Sequence, residues 1–187
     1  MARRPDNPLD RESVIGAAFA ILGEHGLAGL SMRRLGERLQ VQAPALYWHF
    51  SGKAELLGLM AAAVYADARA AVLPCADWRG WLLAYGNALR MRLGRERDTA
   101  QLCAIAQPAR EGAPGSAEAI AAPLVALGLE QGAALSAIAS VTSLALGWAS
   151  FEANGPMHSF LEGMIDFDAS FATGLGALVA GFPEGGV

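Results

Sequence analysis

The chain has 187 residues, of which 53% are hydrophobic and 17% are charged, with a formal net charge of −4. Residues 1–53 carry seven Lys and Arg against five Asp and Glu, and residues 54–187 carry seven against thirteen, so a mildly basic head precedes an acidic body. Two cysteines outside any CxxC pattern argue against a disulfide framework or a structural zinc site, and a charged N-terminus without an apolar run indicates a cytoplasmic protein without a signal peptide.

The first predicted helix begins after Asp10, a residue type that often caps helix N-termini. Gly26 is expected to end this helix, since glycine is the usual residue just past a helix C-terminus. Apolar residues recur at the helical spacing i, i+4, i+7 and i+8, at Val14, Ala18, Ile21 and Leu22. The pattern predicts an amphipathic helix that buries one stripe.

Three further helices are predicted within the next fifty residues. Ser31 can cap a second helix that runs to about Leu39, and residues 40–42 then form a turn. Pro44 suits the first turn of a third, short helix that ends near His49. A fourth helix is expected from Lys53 to about residue 72.

The remainder of the chain also shows helical spacing and no sustained alternation of period two. Helices are predicted at about 77–95, 98–107, 116–129, 133–153 and 157–180, with a loop rich in Pro and Gly at 108–115. The fold class is therefore all-α. We expect two domains, a three-helix head at 1–53 and a helical body at 54–187.

One stretch of the body, residues 131–151, contains no charged residue and has the length of a membrane span. Five Ser and Thr side chains dilute it, and small residues outnumber Leu, Ile and Val. We therefore predict no membrane association. A helix buried on most of its sides, partly by another subunit, explains this composition better.

The residues between Leu30 and Lys53 carry the functional signal. Two short amphipathic helices separated by a three- to four-residue turn are typical of the helix-turn-helix, a motif that binds the DNA major groove. Arg33 can contact guanine or a phosphate, and the polar tips of Tyr47 and Trp48 suit the DNA backbone. The alternative is structural, with Tyr47 packed in the core beside Leu46 and Trp48 serving as a packing residue.

The motif LSMRRLGERL…PALYWHFSGKAELL resembles the DNA-binding domain of the tetracycline-repressor (TetR) family, ungapped from about Asp10 to about Leu57. Weaker similarity in the body covers Asp77-Trp78 and Leu135–Trp148, the latter resembling the helix through which the family dimerises. The resemblance implies a DNA-binding head and an effector-sensing, dimerising body.

By position, the resemblance makes Arg33 a guanine reader and Pro44 a partner of a thymine methyl group. Ala43 and Ala45 replace base-reading residues of the family, so an operator sequence cannot be transferred, and Gln42 is a candidate adenine reader that replaces an acidic residue. The predicted DNA-binding set is Ser31, Met32, Arg33, Gln42, Ala43, Pro44, Ala45, Tyr47, Trp48, His49 and Lys53.

The resemblance also makes the body a sensor, but its tetracycline chemistry does not carry over. The family holds a Mg²⁺–drug complex partly with a His and a Thr, where this chain has Cys103 and Ala106. Mg²⁺ prefers oxygen ligands, so we expect no metal site, no cofactor and no tetracycline response. The predicted pocket is apolar and favours an apolar or aromatic effector, unless its members are plain core: Trp81, Tyr85, Leu89, Cys103, Trp148 and Phe151.

A homodimer is predicted from small residues on the helix at 133–153. Such a stripe lets a second helix approach closely, and with residues 169–182 it would form a two-fold interface. Two heads about 34–36 Å apart would then bind a palindrome in double-stranded DNA. The predicted interface residues share one helical spacing: Ala133, Ala137, Ser140, Leu144 and Gly147.

These features predict a transcriptional repressor that binds an operator as a homodimer and is released by a small effector. Activation in place of repression stays open, because the sign depends on where the operator lies. A degenerate helical adaptor that no longer reads DNA is the alternative, suggested by Ala43 and Ala45. An enzyme is not expected, because the sequence has no HExxH motif, P-loop or Gly-rich phosphate fingerprint.

Overall fold

The structure, a computed structural model, describes residues 10–48, 50–107, 117–153 and 155–183. Within these ranges the chain is helical and has no strand, which confirms the all-α class. Ten helices follow one another: α1 (Arg11–Gly29), α2 (Met32–Leu39), α3 (Ala43–Leu46), α4 (Lys53–Ala70), α5 (Trp78–Leu93), α6 (Thr99–Ile105), α7 (Ala117–Val125), α8 (Gln131–Ala153), α9 (Gly155–Leu161) and α10 (Phe167–Ala180).

Both ends of the main α1 segment follow from the sequence. The Asp10 carboxylate accepts a hydrogen bond from the Ser13 N–H at 2.7 Å and caps the helix. Gly26 adopts φ 68° and ψ 180°, a conformation open almost only to glycine, and this kink interrupts α1 before its last turn. The predicted stripe at Val14, Ala18, Ile21 and Leu22 is buried.

The next two helices form the compact turn that the sequence predicts. The Ser31 hydroxyl accepts a hydrogen bond from the Arg34 N–H at 3.2 Å and caps α2, and Gln40 ends that helix in the left-handed region at φ 57°. Pro44 lies in the first turn of α3. Helix α3 ends at Leu46, earlier than predicted, and His49 lies outside the described residues.

Helix α4 joins the head to the body. Its buried residues recur at nearly every fourth position, among them Leu56, Met60, Val64 and Ala68. This face packs against α1 of the head and against α5 and α6 of the body. One continuous helix thus carries the apolar core from one part of the molecule into the other.

The body is organised around the packing of α5 on α8. Apolar residues of α5, including Leu82 and Leu89, are fully buried. The close approach of α10 to α5 depends on Gly86, where an added Cβ would lie 2.8 Å from the Leu175 Cδ2 atom. The predicted loop at 108–115 lies outside the described residues.

The prediction of a single helix at 157–180 is wrong. The chain forms α9 and α10, separated by residues 162–166. Asp166 begins α10, because its carboxylate accepts a hydrogen bond from the Ala169 N–H at 2.8 Å. A capping carboxylate favours a new start over continuation of the preceding helix.

Helix α8 is long and apolar enough to cross a membrane by length and composition. One third of its most apolar window is buried within the chain. The core helix of a protein outside membranes satisfies the same criterion, so a single such helix says little by itself.

Candidate nucleic-acid interface and ligand site

The side chains of the third helix and the turn after it separate into core and surface. Leu46 and Phe50 are buried, whereas Tyr47 is 54% exposed and Trp48 is 89% exposed. Indole side chains are mostly buried in folded proteins, so an almost fully exposed one indicates a role other than packing in the core. The packing alternative therefore fails for Tyr47 and Trp48, and both side chains are available to a partner.

Arg33 lies on the outer face of α2 with 80% of its side chain exposed. Its Nη1 atom donates a hydrogen bond to Glu37 Oε1 at 2.7 Å, one helical turn further on. The neighbouring arginines act differently. Arg34 donates to the Gly29 carbonyl, and Arg38 donates to the Glu24 carboxylate of α1 at 2.8 Å, so both hold the head together.

An open cleft of about 440 Å³ lies beside Arg33, between α2 and the turn that follows it. Its lining combines charged, amide and apolar side chains: Arg33, Gly36, Glu37, Gln40, Val41 and Gln42. Arg33 and Gln42 of this lining were predicted from the sequence as DNA-binding residues, whereas Glu37 and Gln40 were not. The i, i+4 spacing of Arg33 and Glu37 was the signal that could have revealed the pair.

The other predicted DNA-binding residues occupy different environments. Pro44 and Lys53 are exposed, Ala45 is half-buried, and Met32 packs partly against the core. The Ser31 hydroxyl is engaged in capping α2. The side chain of Ala43, like all of His49, lies outside the described part of the chain.

Lys53 occupies the first position of α4, and no side chain caps that helix at Gly52. Backbone N–H groups at a helix N-terminus favour an anion such as phosphate. The turn before α4 is held by Glu55, which accepts hydrogen bonds from the Ser51 N–H and hydroxyl, both at 2.7 Å. These bonds lower the pKa of Glu55, since they stabilise its carboxylate form.

In the body, four of the six predicted pocket residues are buried together with the core: Trp81, Tyr85, Leu89 and Cys103. The Trp81 and Tyr85 rings stack, with their centroids 5.1 Å apart. The Tyr85 hydroxyl lies 3.3 Å from the Thr142 Oγ1 atom of α8. A small polar pair thus sits inside an otherwise apolar region.

A second polar pair lies between α4 and α6, where the side chains of Tyr65 and Cys103 each shift the pKa of the other. Burial raises the pKa of the Cys103 thiol to about 11 and also raises the pKa of Tyr65 and of Tyr85. All three groups are neutral at pH 7. They can serve as hydrogen-bond partners in this region but not as charges.

The last two predicted pocket residues lie on α8. Trp148 packs against Phe171 with 6.0 Å between ring centroids, and its Nε1 atom is buried without a hydrogen-bond partner among the described residues. Phe151 is 45% exposed and lies outside the buried cluster, so its place in a ligand pocket stays a prediction. The buried face of α8 follows Ala145 and Ala149, and position 151 is out of phase with that face.

The body also carries an open cleft of about 440 Å³ that was not predicted from the sequence. Arg90 is its centre, paired with Glu152 and with Asp168 at 2.8 Å, and its guanidinium lies 4.8 Å from the Phe171 ring centroid. Asn87 and Met91 complete the lining. The ion pairs connect α5, α8 and α10, and the two carboxylates offset the positive charge of the arginine.

In the part of the chain that the structure describes, no group of three or more His, Cys, Asp or Glu side chains could hold a metal ion. Cys103, at the position where the family's metal-linked histidine would fall, is buried. Ala106 offers no ligand atom in its side chain.

The proposed dimer stripe on α8 also needs one correction. Ala137 is 1% exposed and faces the core of its own chain, in phase with Ala134 and Val141. Ala133, Ser140 and Leu144 are half-buried, and Gly147 is exposed. Between residues 136 and 150, the exposed residues of α8 are all small: Ser136, Ala139, Ser143, Gly147 and Ser150.

Comparison with known proteins gives concordant matches. Residues 14–60 match the family model described as bacterial regulatory proteins, tetR family. Tetracycline repressor protein class A from transposon 1721 of Escherichia coli is 34% identical, over 94% of this chain and 91% of that protein. A TetR variant from Acinetobacter baumannii AYE in complex with minocycline is 36% identical with a TM-score of 0.76, over 94% of this chain and 97% of that one. BioQ with its natural double-stranded DNA operator is 30% identical with a TM-score of 0.62, over 91% of this chain and 99% of that one.

Proposed function

Because the chain belongs to the TetR family of bacterial regulatory proteins, a family of DNA-binding transcriptional regulators and not of enzymes, we propose that it is a cytoplasmic repressor. It binds a palindromic operator as a homodimer and leaves the operator when a small, largely apolar effector enters the body. The head at 1–53 binds the DNA, and the body at 54–187 binds the effector and the second subunit.

The exposed indole of Trp48 carries the DNA-binding part of this proposal. A tryptophan that is 89% exposed beside an exposed Tyr47 has no role in the core of its own chain. Arg33 and Lys53 place positive charge on the same helix-turn-helix head, where phosphates and guanine edges can be contacted. BioQ, whose fold this chain shares, has been solved with its DNA operator.

The homodimer is supported by the outward face of α8. Ser143 and Gly147 are exposed on a helix that carries no charged residue before Glu152. An added Cβ at Gly147 would meet open space, so no other part of the described chain covers α8 at this position. Small residues on an apolar helix allow the matching helix of a second copy to approach closely around a two-fold axis.

The proposed effector class is supported by the aromatic side chains of the body. The buried rings of Trp81 and Tyr85 offer stacking area, and the unpaired Nε1 atom of Trp148 offers one hydrogen-bond donor. A site of this composition suits an apolar or aromatic molecule that carries a hydrogen-bond acceptor. Tetracyclines are the second candidate, since a solved relative contains minocycline, but Cys103 and Ala106 provide no oxygen ligand for Mg²⁺.

Release from DNA tests the effector class directly. A fluorescent duplex enriched by the protein from a random pool is mixed with a panel of aromatic compounds, or with tetracycline and Mg²⁺. We expect release by members of the aromatic panel and a weaker response in a Trp148→Phe variant, which keeps one aromatic ring at this position and removes the hydrogen-bond donor. Release by tetracycline only in the presence of Mg²⁺ would contradict the proposed effector class and leave the DNA-binding proposal intact.

A further inference from the structure

We propose that Glu37 determines the operator sequence together with Arg33, by fixing the guanidinium in its reading position and by accepting a hydrogen bond from a base edge. The proposal rests on sequence-specific DNA binding by the head. Glu37 Oε1 lies 2.7 Å from Arg33 Nη1, one turn away on the same outer face of α2.

The Arg33–Glu37 pair connects α2 to no other helix in the part of the chain that the structure describes. Both side chains are mostly exposed, 80% for Arg33 and 57% for Glu37, and exposed ion pairs contribute little to stability. Neither side chain bonds to another helix in the described ranges, unlike Arg34 and Arg38, which connect α2 to the end of α1. Both side chains of the pair are therefore available to contact DNA.

The surroundings of the pair fit the edges of base pairs. The cleft of about 440 Å³ beside it is lined by Gln40 and Gln42 in addition to the two charged residues. In the major groove, arginine matches guanine, glutamine matches adenine, and a carboxylate accepts from the amino group of cytosine. The cleft therefore presents a donor fork, an acceptor and two amides within one compact area.

A carboxylate at this position also acts against incorrect sequences. Phosphates repel Glu37 on every duplex, and only a site that supplies a hydrogen-bond donor to it offsets that cost. The same carboxylate competes with phosphates for the Arg33 guanidinium. Glu37 thus lowers affinity for DNA in general and raises the ratio between the operator and other sequences.

The experiment compares three proteins in selection from a random duplex pool: the wild type, Glu37→Gln and Glu24→Gln. The control is matched, because Glu24 is also an exposed head carboxylate paired with an α2 arginine, at 2.8 Å from Arg38. Each substitution removes one negative charge and keeps the side-chain size. Affinities are then measured for the wild-type consensus duplex and for a scrambled duplex at one salt concentration.

We expect both variants to bind the scrambled duplex more tightly, since both heads become less acidic. Only Glu37→Gln should change the enriched bases, and its ratio of consensus to scrambled affinity should fall about tenfold. An unchanged consensus and ratio in Glu37→Gln, or an equal loss in Glu24→Gln, would overturn the role of Glu37. Failure of the wild type to enrich any sequence would instead contradict the proposed function.

Discussion

The Asp98 carboxylate accepts a hydrogen bond from the backbone N–H of Leu27, with 2.8 Å between Oδ2 and the nitrogen. Asp98 precedes α6 of the body, and Leu27 follows the α1 kink at Gly26 in the head. Asp98 stands at the N-cap of α6 without capping it, because its side chain is directed to the other domain. The contact joins residues 71 positions apart across the two functional parts of the chain.

A second link lies next to the first. Arg92 of α5 is only 6% exposed and donates to Asp67 of α4 at 2.8 Å and to Glu96 at 2.7 Å. Its guanidinium also lies 4.6 Å from the ring centroid of Phe19 in α1. Movement of α4, α5 or α6 on effector binding would therefore reach α1 through two defined contacts.

Removal of the Asp98 link should weaken both stability and signalling. We expect Asp98→Ala to lower the free energy of unfolding by about 1–2 kcal/mol, since a charged hydrogen bond is lost, and to reduce effector-driven release from DNA. Urea unfolding and duplex-release titrations measure the two effects. In the control Asp166→Ala, the lost carboxylate bond caps α10 at Ala169 and does not join the body to the head, so release should be unchanged. Equal release in all three proteins would refute the role of this contact.

Gly26 should not tolerate a side chain. At φ 68° and ψ 180°, alanine is strained, and its Cβ would lie 2.6 Å from Asp98 Oδ2. We expect Gly26→Ala to lower the free energy of unfolding by about 1–3 kcal/mol. Gly16→Ala is the matched control in the same helix, where a Cβ meets open space and should stabilise the helix by about 0.5–1 kcal/mol. Similar effects in the two variants would show that the kink is not required.

Arg33→Ala should strongly weaken specific operator binding and leave the protein folded. The side chain is exposed and bonds only to Glu37 in the described part of the chain, so the melting temperature should hardly change. Loss of a bidentate guanine contact costs about 1–3 kcal/mol of discrimination. Anisotropy titration against the consensus and a scrambled duplex measures this loss. An unchanged affinity for the consensus would remove Arg33 from the reading set.

The dimer face can be tested with an exposed and a buried substitution on α8. Gly147→Glu places a charge on the outward face, where a Cβ meets open space, and should give folded monomers in sedimentation velocity. Ala137→Glu instead inserts a charge at a position that is 1% exposed, so unfolding or aggregation is expected. A dimeric Gly147→Glu protein would place the interface elsewhere.

The raised pKa of Cys103 predicts slow alkylation. With a pKa of about 11, about 0.1% of this thiol is ionised at pH 8, and the thiolate is the reactive form. In a Cys75→Ser background, the rate of iodoacetamide labelling should therefore rise about tenfold per pH unit between pH 8 and pH 10. A rate that levels off near pH 8 would mean that the thiol is not held neutral by burial.

Local signals predicted the local structure well. Asp10 and Ser31 cap the helices that their positions indicated, and Gly26 interrupts α1 as expected. These outcomes depend on backbone geometry and on hydrogen bonds within three or four residues. Such interactions involve residues close together in the sequence, so they can be predicted without the remaining fold.

Tertiary contacts decided the features that the sequence did not predict. Ala137 was assigned to the outward face of α8 but is buried in its own chain, because a helix apolar on most of its sides does not reveal which side meets its own core. The Asp98–Leu27 contact and the contacts of Arg92 join residues that are distant in the sequence. No local residue spacing therefore predicts them. For the same reason the cleft around Arg90 was not anticipated.

The most direct test of the central claim is the salt dependence of binding to the sequence that the wild-type protein enriches from random duplex DNA. We predict a palindromic sequence bound by one dimer, with affinity that falls steeply as salt rises, because Lys and Arg contacts to phosphates release counterions. The scrambled duplex should bind at least about a thousandfold more weakly. No enriched sequence, with equally weak binding to every duplex, would contradict sequence-specific regulation and favour a helical adaptor that has lost DNA reading.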